Sequence, residues 1–269
     1  MSARLDQALA LARSQGRAAL ATYLPVGYPN RADSMDALHL LAQASDVVEL
    51  GVPHVAPVLD GPVIRRASAQ ALAGGFRMQD LITAARELSA ASATALLVMS
   101  YWHPISRYGP ERFADDLAAA GGAGVLVPDL PAEEAGRWIA AARAAGLHTV
   151  NLVDPRADVA ALARVCAASS GMVYAAATQG VTGTQGPLSA RLPQLVARLR
   201  TITSLPVGVG IGVSAPGQAA IISAFADAVV VGSAVIRRME AAPKAPVAAA
   251  ASVAREFADG VRHPVGAAA

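Results

Sequence analysis

A (β/α)8 barrel, an α/β fold of eight parallel strands each followed by a helix, is the class predicted by this 269-residue sequence. Three observations predict it. Short β-rich runs alternate with segments of helical period eight times along the chain. Several helical segments open on proline and close on glycine, the asymmetry expected of real helix ends. No GxGxxG motif opens the first helix, as a doubly wound nucleotide-binding sheet would ask. Eight βα units suit a barrel of roughly 250 residues, and no Pro/Gly/Ser-rich linker divides the chain, so residues 1–269 read as a single domain.

The elements follow in order. Leu5–Leu11 reads as an extra helix ahead of the repeating units, and Ala19–Leu24 and Asp46–Leu50 read as the first two strands. Pro62 and Gly74-Gly75 bracket a helix, VIRRASAQALA, and a second one around Met78–Ala90 fills the rest of that long gap. After the strand Ala95–Met99, a helix from Pro110 to Ala120 ends in Gly121-Gly122. The strand Gly124–Val127 precedes a helix from Pro131 to Ala145, with Glu133 and Glu134 in a first turn that favours acids. Strands at His148–Leu152, Met172–Ala176, Pro206–Gly210 and Ala228–Val231 complete the eight. The short segment AVIRRME and then Val247–Asp259 close the chain as helices, and the alanine-rich tail after His263 carries no pattern.

Composition excludes several functions. There are 22 basic and 20 acidic residues with only 4% aromatics, and the densest basic pairs, Arg65-Arg66 and Arg237-Arg238, fall on solvated helix faces, so nucleic-acid binding has no support. Cys166 is the single cysteine, a small buried apolar residue in a reducing compartment. Charges every few residues exclude a secretory signal at the N-terminus. Gly, Pro, Ser, Thr and Gln interrupt the uncharged stretches Val165–Ala190 and Ile202–Ala226, so no membrane span and a cytoplasmic location are expected. Lys244, the only lysine, lies between prolines beyond the last strand, which removes a Schiff-base aldolase. The histidines form no HxH, HExxH or HxxE constellation, so no metal is expected.

Reactive groups in such barrels sit at the C-terminal ends of strands and in the loops after them. A period of two in DVVELGVP puts Glu49 on the face of Val47, and a carboxylate at an apolar barrel mouth has its pKa raised toward the range of proton transfer. Pairing with a neighbouring arginine is the plain alternative. Eleven residues on, LDGP places Asp60 just before a proline-initiated helix, where N-cap and catalytic partner are equally good readings. Gly212 follows the seventh strand, and Gly232 and Ser233 open a short helix after the eighth, where barrels commonly bind phosphate. The run QGVTGTQG from Gln179 to Gly186, containing Gly183, reads as a mobile lid after the sixth strand. The residues thus describe a cofactor-free barrel that grips a phosphorylated small molecule and works on it by carboxylate acid–base chemistry.

In order and spacing, ELGVP, LDGP, RYGPERF, LVPDLPAEE, QGVTGTQGPLS, VGVGIGVSAPGQ and VVVGSA resemble the tryptophan synthase α-subunit family from about Tyr23 to Ile236. The resemblance implies retro-aldol cleavage of indole-3-glycerol phosphate to indole and glyceraldehyde 3-phosphate without metal or organic cofactor. It implies that Glu49 protonates the indole carbon bearing the chain and takes a proton from the adjacent hydroxyl, and that Asp60 accepts the ring N–H. The family tyrosine of the sixth strand falls on Tyr174, and the phosphate site on Gly183, Gly212, Gly232 and Ser233. Two loops depart from the pattern. Where the family reads P-aromatic-SDP, this chain has PHVAP, with His54, Val55 and Ala56, so an acid that meets a lysine of the β-subunit is lost. Where the family has YxNP, this chain has YWHP with His103. Kept carboxylates beside altered partner contacts favour a stand-alone lyase releasing free indole, its loops held closed by His54 and Val55, over a partner-dependent α-subunit passing indole to a β-subunit. A catalytically silent, phosphate-binding regulatory barrel is the third reading, and the retained Glu49 and Asp60 count against it.

Overall fold

The structure is a computed structural model that describes residues 3–177 and 187–265. Eight strands, β1 (Ala19–Pro25), β2 (Val47–Gly51), β3 (Ala95–Met99), β4 (Gly124–Leu126), β5 (His148–Val153), β6 (Val173–Ala176), β7 (Val207–Gly210) and β8 (Ala228–Val231), close into a barrel in sequence order. Every neighbouring pair is parallel. A helix, α1 (Ala3–Ser14), precedes β1, and α2 (Arg31–Ala44) links β1 to β2. Two helices, α3 (Pro62–Ala73) and α4 (Met78–Ala91), lie between β2 and β3, and two more, α5 (Trp102–Tyr108) and α6 (Pro110–Ala119), between β3 and β4. The ring continues with α7 (Gly136–Ala144), α8 (Val159–Ala168), α9 (Leu192–Arg200) and α10 (Pro216–Ser223), and ends with α11 (Ser233–Ala241) and α12 (Pro246–Arg262) after β8.

The eight strand segments read from sequence agree with the observed ones to within one residue at each end. Asp46 falls just outside β2, where its carboxylate accepts both terminal nitrogens of Arg17 at 2.6 and 2.8 Å and the Leu20 amide at 2.8 Å. It ties the starts of β1 and β2 together. Gly75 and Gly121 adopt φ of +85° and +86° directly after α3 and α6, the left-handed ending expected of their positions. α1 closes the opposite end of the barrel from the strand C-termini: Leu5 is fully buried, and a side chain at Gly171 would meet it at 2.9 Å.

Three readings need correction. Residues 131–135 form a turn, with the Glu134 amide bonded to the Pro131 carbonyl at 3.0 Å, and α7 starts only at Gly136. Glu133 is therefore not in a first helical turn; it reaches 3.0 Å from Arg164 on α8 instead. The helix α5 escapes a periodicity reading because Pro104 sits within its seven residues, tolerated there only because it occupies the first turn. Arg65 and Arg66 are exposed as expected, but Arg237 is half-buried on α11, and burial lowers its pKa.

Inward positions alternate along each strand, and neighbours compensate in size. β7 carries Gly208 and Gly210 inward because β6 and its approach fill that space. A side chain at Gly208 would come within 3.1 Å of the Met172 sulfur, and one at Gly210 would overlap the Tyr174 ring. Large beside small is how barrel layers fill without voids. Among the described residues, no helix is long and apolar enough to cross a membrane.

Candidate active site

A cavity of about 610 Å³, counting its open mouth, lies at the C-terminal ends of the strands. Apolar side chains such as Met99, Leu126, Leu152 and Val230 form most of its wall, and Glu49, Asp60, Gly212, Gly232 and Ser233 all reach it. The structure thus brings together in one cavity the residues selected from two separate parts of the chain. Tyr174 lines it from β6. Gly183 and the lid read at 179–186 lie outside the described residues.

Glu49 is 4% exposed and, among the described residues, has no ion pair with an arginine. Burial, and then the charge of Asp60, push its pKa up to about 8. At neutral pH it therefore holds a proton. Asp60 is raised less, to about 6: burial lifts it, while a hydrogen bond with Tyr101 and the nearby Arg65 guanidinium hold it down. It is ionised where Glu49 is not. The N-cap alternative for Asp60 is not what the chain does, because Gly61 occupies the cap of α3 without a side-chain bond. The Asp60 carbonyl instead accepts Arg65 Nε at 2.6 Å.

Two tyrosines at this site were not singled out from sequence. Tyr23 is register-paired with Glu49 across β1 and β2, so both point into the barrel at one level. Tyr101, two residues past β3 and the N-cap of α5, is buried, and its hydroxyl accepts the Leu59 amide at 3.1 Å while bonding Asp60. The signal for Tyr23 was available, since the period of two that selects Glu49 runs equally along ALATYLP.

On the opposite side the polar groups come mainly from the backbone. Ile211 adopts φ +55° and Gly212 φ +101°, so the loop after β7 turns through the left-handed region at consecutive residues. Gly232 is the N-cap of α11 and Ser233 its first residue. The helix dipole and free amides of that N-terminus favour an anion, and glycine lets it come close.

The loop after β2 stands above the carboxylates. His54 is half-buried, with its ring 5.2 Å from the Tyr101 ring and 6.0 Å from His103, and its Nδ1 accepts the Ala56 amide at 3.2 Å. Val55 does not pack as expected: it is 83% exposed, and Val58 is 63% exposed.

A closed eight-stranded barrel whose mouth opposes paired carboxylates to a glycine-built helix N-terminus defines a class, the barrel enzymes that do acid–base chemistry on small anionic substrates. Comparison narrows this to a family. The family model described as tryptophan synthase alpha chain matches residues 9–262. The tryptophan synthase alpha chain of Streptomyces coelicolor is 48% identical over 261 residues, 96% of each chain, and that of Mycobacterium avium is 45% identical over 97% of this chain and 96% of its own. Among solved structures, Mycobacterium tuberculosis tryptophan synthase superposes with a TM-score of 0.91 at 41% identity, covering 97% of this chain and 99% of the other. The chain belongs to the tryptophan synthase alpha chain family. It is a carbon–carbon lyase of tryptophan biosynthesis that cleaves indole-3-glycerol phosphate by a retro-aldol reaction.

Proposed function

We propose that Glu49 and Asp60 divide the chemistry of this cleavage and that the glycines after β7 and β8 hold the substrate's phosphate. The observation that carries the reading is the split between the two carboxylates, one held near 8 and the other near 6 in the same cavity. Glu49, protonated at neutral pH, gives its proton to the indole carbon that bears the glycerol chain. The ring becomes an electron-poor cation. Asp60, already ionised, accepts the ring N–H and stabilises that charge. The Glu49 carboxylate then removes the proton of the adjacent chain hydroxyl; the carbon–carbon bond breaks, its electron pair returns to the ring, and glyceraldehyde 3-phosphate leaves. Gly212, Gly232 and Ser233 hold the phosphate, with Gly183 as a further member, and Tyr174 walls the ring pocket. No metal or organic cofactor enters these steps.

The same reading takes the chain as a stand-alone lyase that releases free indole in the cytoplasm. Its support is that the two departures from the family pattern, His54 and His103, touch each other, and His54 also stacks on Tyr101, which bonds Asp60. The loop after β2 is thus held by the chain's own rings. Dependence on a β-subunit is the second reading, favoured by the exposed Val55 and Val58 on that same loop, apolar surface that a partner would cover. Ala56, where the family carries an acid, weakens that contact. The test is indole release from indole-3-glycerol phosphate by the purified chain, alone and with saturating β-subunit from a related bacterium. Fast turnover indifferent to the partner supports the stand-alone enzyme. Slow turnover raised by orders of magnitude establishes the partner-dependent one. No indole in either arm overturns the whole assignment.

A further inference from the structure

Two tyrosines, Tyr23 and Tyr174, line the cavity and a third, Tyr101, bonds Asp60; two of the three hydroxyls are engaged within the protein. Tyr174 accepts the Ile211 amide, and Tyr101 accepts the Leu59 amide and bonds Asp60. Tyr23 differs. Its side chain is 5% exposed and lines the cavity, yet among the described residues its hydroxyl has no hydrogen-bond partner. A tyrosine that buries its ring ordinarily finds a partner for its O–H. Burial, with the charges of Asp60 and Glu49 behind it, pushes the phenol well above its ordinary range, so the proton stays on and is available to donate.

The ring also lies in a particular direction. Its near end sits under α11, where a side chain at Gly232 would be 3.0 Å from Tyr23 Cδ1 and 3.3 Å from its Cβ. Its far end lies at the end of β2, where a side chain at Gly51 would overlap the hydroxyl. Tyr23 therefore spans the floor between the helix N-terminus that takes the phosphate and the strand that carries Glu49. The glycerol chain of the substrate must cross the same interval. It has two hydroxyls: one on the carbon whose bond breaks, which Glu49 serves, and a middle one that the chemistry leaves untouched.

We propose that Tyr23 is a substrate-positioning residue whose hydroxyl hydrogen-bonds the middle hydroxyl of the glycerol chain, registering the scissile bond over Glu49 and selecting hydroxylated chains over deoxy ones. This rests on the preceding reading of Glu49 and the phosphate glycines. It explains why Gly51 and Gly232, at opposite ends of the ring, both lack a side chain: each leaves room for the tyrosine.

The experiment uses the Glu49→Gln chain, so that ligands bind without cleavage, and measures calorimetric affinities with Tyr23 intact and with Tyr23→Phe added. The ligands are indole-3-glycerol phosphate and the analogue lacking only the middle hydroxyl. The expected result is a roughly tenfold weakening for indole-3-glycerol phosphate and less than twofold for the deoxy analogue, since one hydrogen bond to an otherwise unpaired group is lost in the first case only. In the cleaving enzyme, Tyr23→Phe then raises KM about tenfold with a smaller change in kcat. Equal weakening of both ligands, or of neither, overturns the role of Tyr23 and leaves the function intact. Failure of the Glu49→Gln chain to bind either ligand overturns the reading of the site itself.

Discussion

The two sides of the barrel mouth are made of different materials. From β1 to β3 the cavity is lined by the polar side chains of Tyr23, Glu49 and Asp60, with Tyr101 bonded to Asp60, all buried and tuned by one another. From β7 to β8 apolar side chains such as Val230 line it and the polar groups are mainly backbone, with Gly212 in a left-handed turn and Gly232 and Ser233 at a helix start. On the function proposed for the two sides, the difference follows from the task. A proton must sit on an atom whose affinity for it can be adjusted by burial and neighbouring charge, whereas an anion needs only several N–H groups and room to approach them.

Mutations on the two sides should therefore fail differently, and the largest effect belongs to the side-chain half. Glu49→Gln keeps shape and removes the transferable proton, so kcat is expected to fall by about 10³-fold or more while glycerol 3-phosphate affinity, read by calorimetry, stays within about twofold. A comparable loss of anion affinity would mean the two halves are not separable. On the backbone half, Gly212→Ala forces a side chain into φ +101°. KM for indole-3-glycerol phosphate is expected to rise about tenfold, kcat to change less, and the thermal midpoint to drop by several degrees, from strain of roughly 1–2 kcal/mol.

The side-chain half also carries the pH dependence. A free enzyme that needs Asp60 ionised and Glu49 protonated gives a bell in kcat/KM with limbs near 6 and 8. These are apparent values of the pair. Asp60→Asn removes the acid limb, and because the Asp60 charge helps hold the Glu49 proton on, the alkaline limb of the residual activity moves down. Stability responds through the same group. A folded pKa near 8 against an ordinary 4.5 means that the folded state binds a proton the unfolded chain has lost, so wild type loses stability relative to Glu49→Gln as pH rises from about 4.5 to 8, and no more above that. Melting curves of the two chains at pH 5, 7 and 9 test the sign. A constant difference across that range removes the buried-proton account.

The contrast also explains what could be read from the chain alone. Strand positions and Glu49 were legible because a period of two acts locally: ELG fixes the inward face wherever the strand lies. The place of Gly212, Gly232 and Ser233 on the cavity was legible because strand ends and the loops after them gather at one mouth of a barrel. Asp60 was not settled, since cap and catalytic partner differ by one residue and by a contact with Tyr101, 41 positions away. Tyr23 was overlooked although the same alternation exposes it, because its meaning depends on Gly51 and Gly232, which only the closed barrel brings to its two ends. The tertiary pairing of Glu133 with Arg164, and the turn that permits it, had no local cue at all. The packing expected of Val55 failed for the same reason, since nothing in PHVAP says whether a side chain turns in or out.

The smallest expected effect lies on that loop, and it sharpens the comparison between the mouth's interior and its rim. Val55 is 83% exposed and is not among the groups that shift the carboxylate pKa values, so Val55→Ser should leave stability within about 0.5 kcal/mol and indole release by the chain alone unchanged. His54→Ala is different, because its ring stacks on Tyr101, whose hydroxyl bonds Asp60. Losing it should lower kcat several-fold through the position of Asp60, with the acid limb of the pH profile shifted. If Val55→Ser is silent and His54→Ala is not, the loop acts inward, as a stand-alone lyase requires. If instead Val55→Ser is silent in the lone chain but weakens stimulation by an added β-subunit, the loop acts outward, and the exposed valines are a docking surface that its own rings only hold in place.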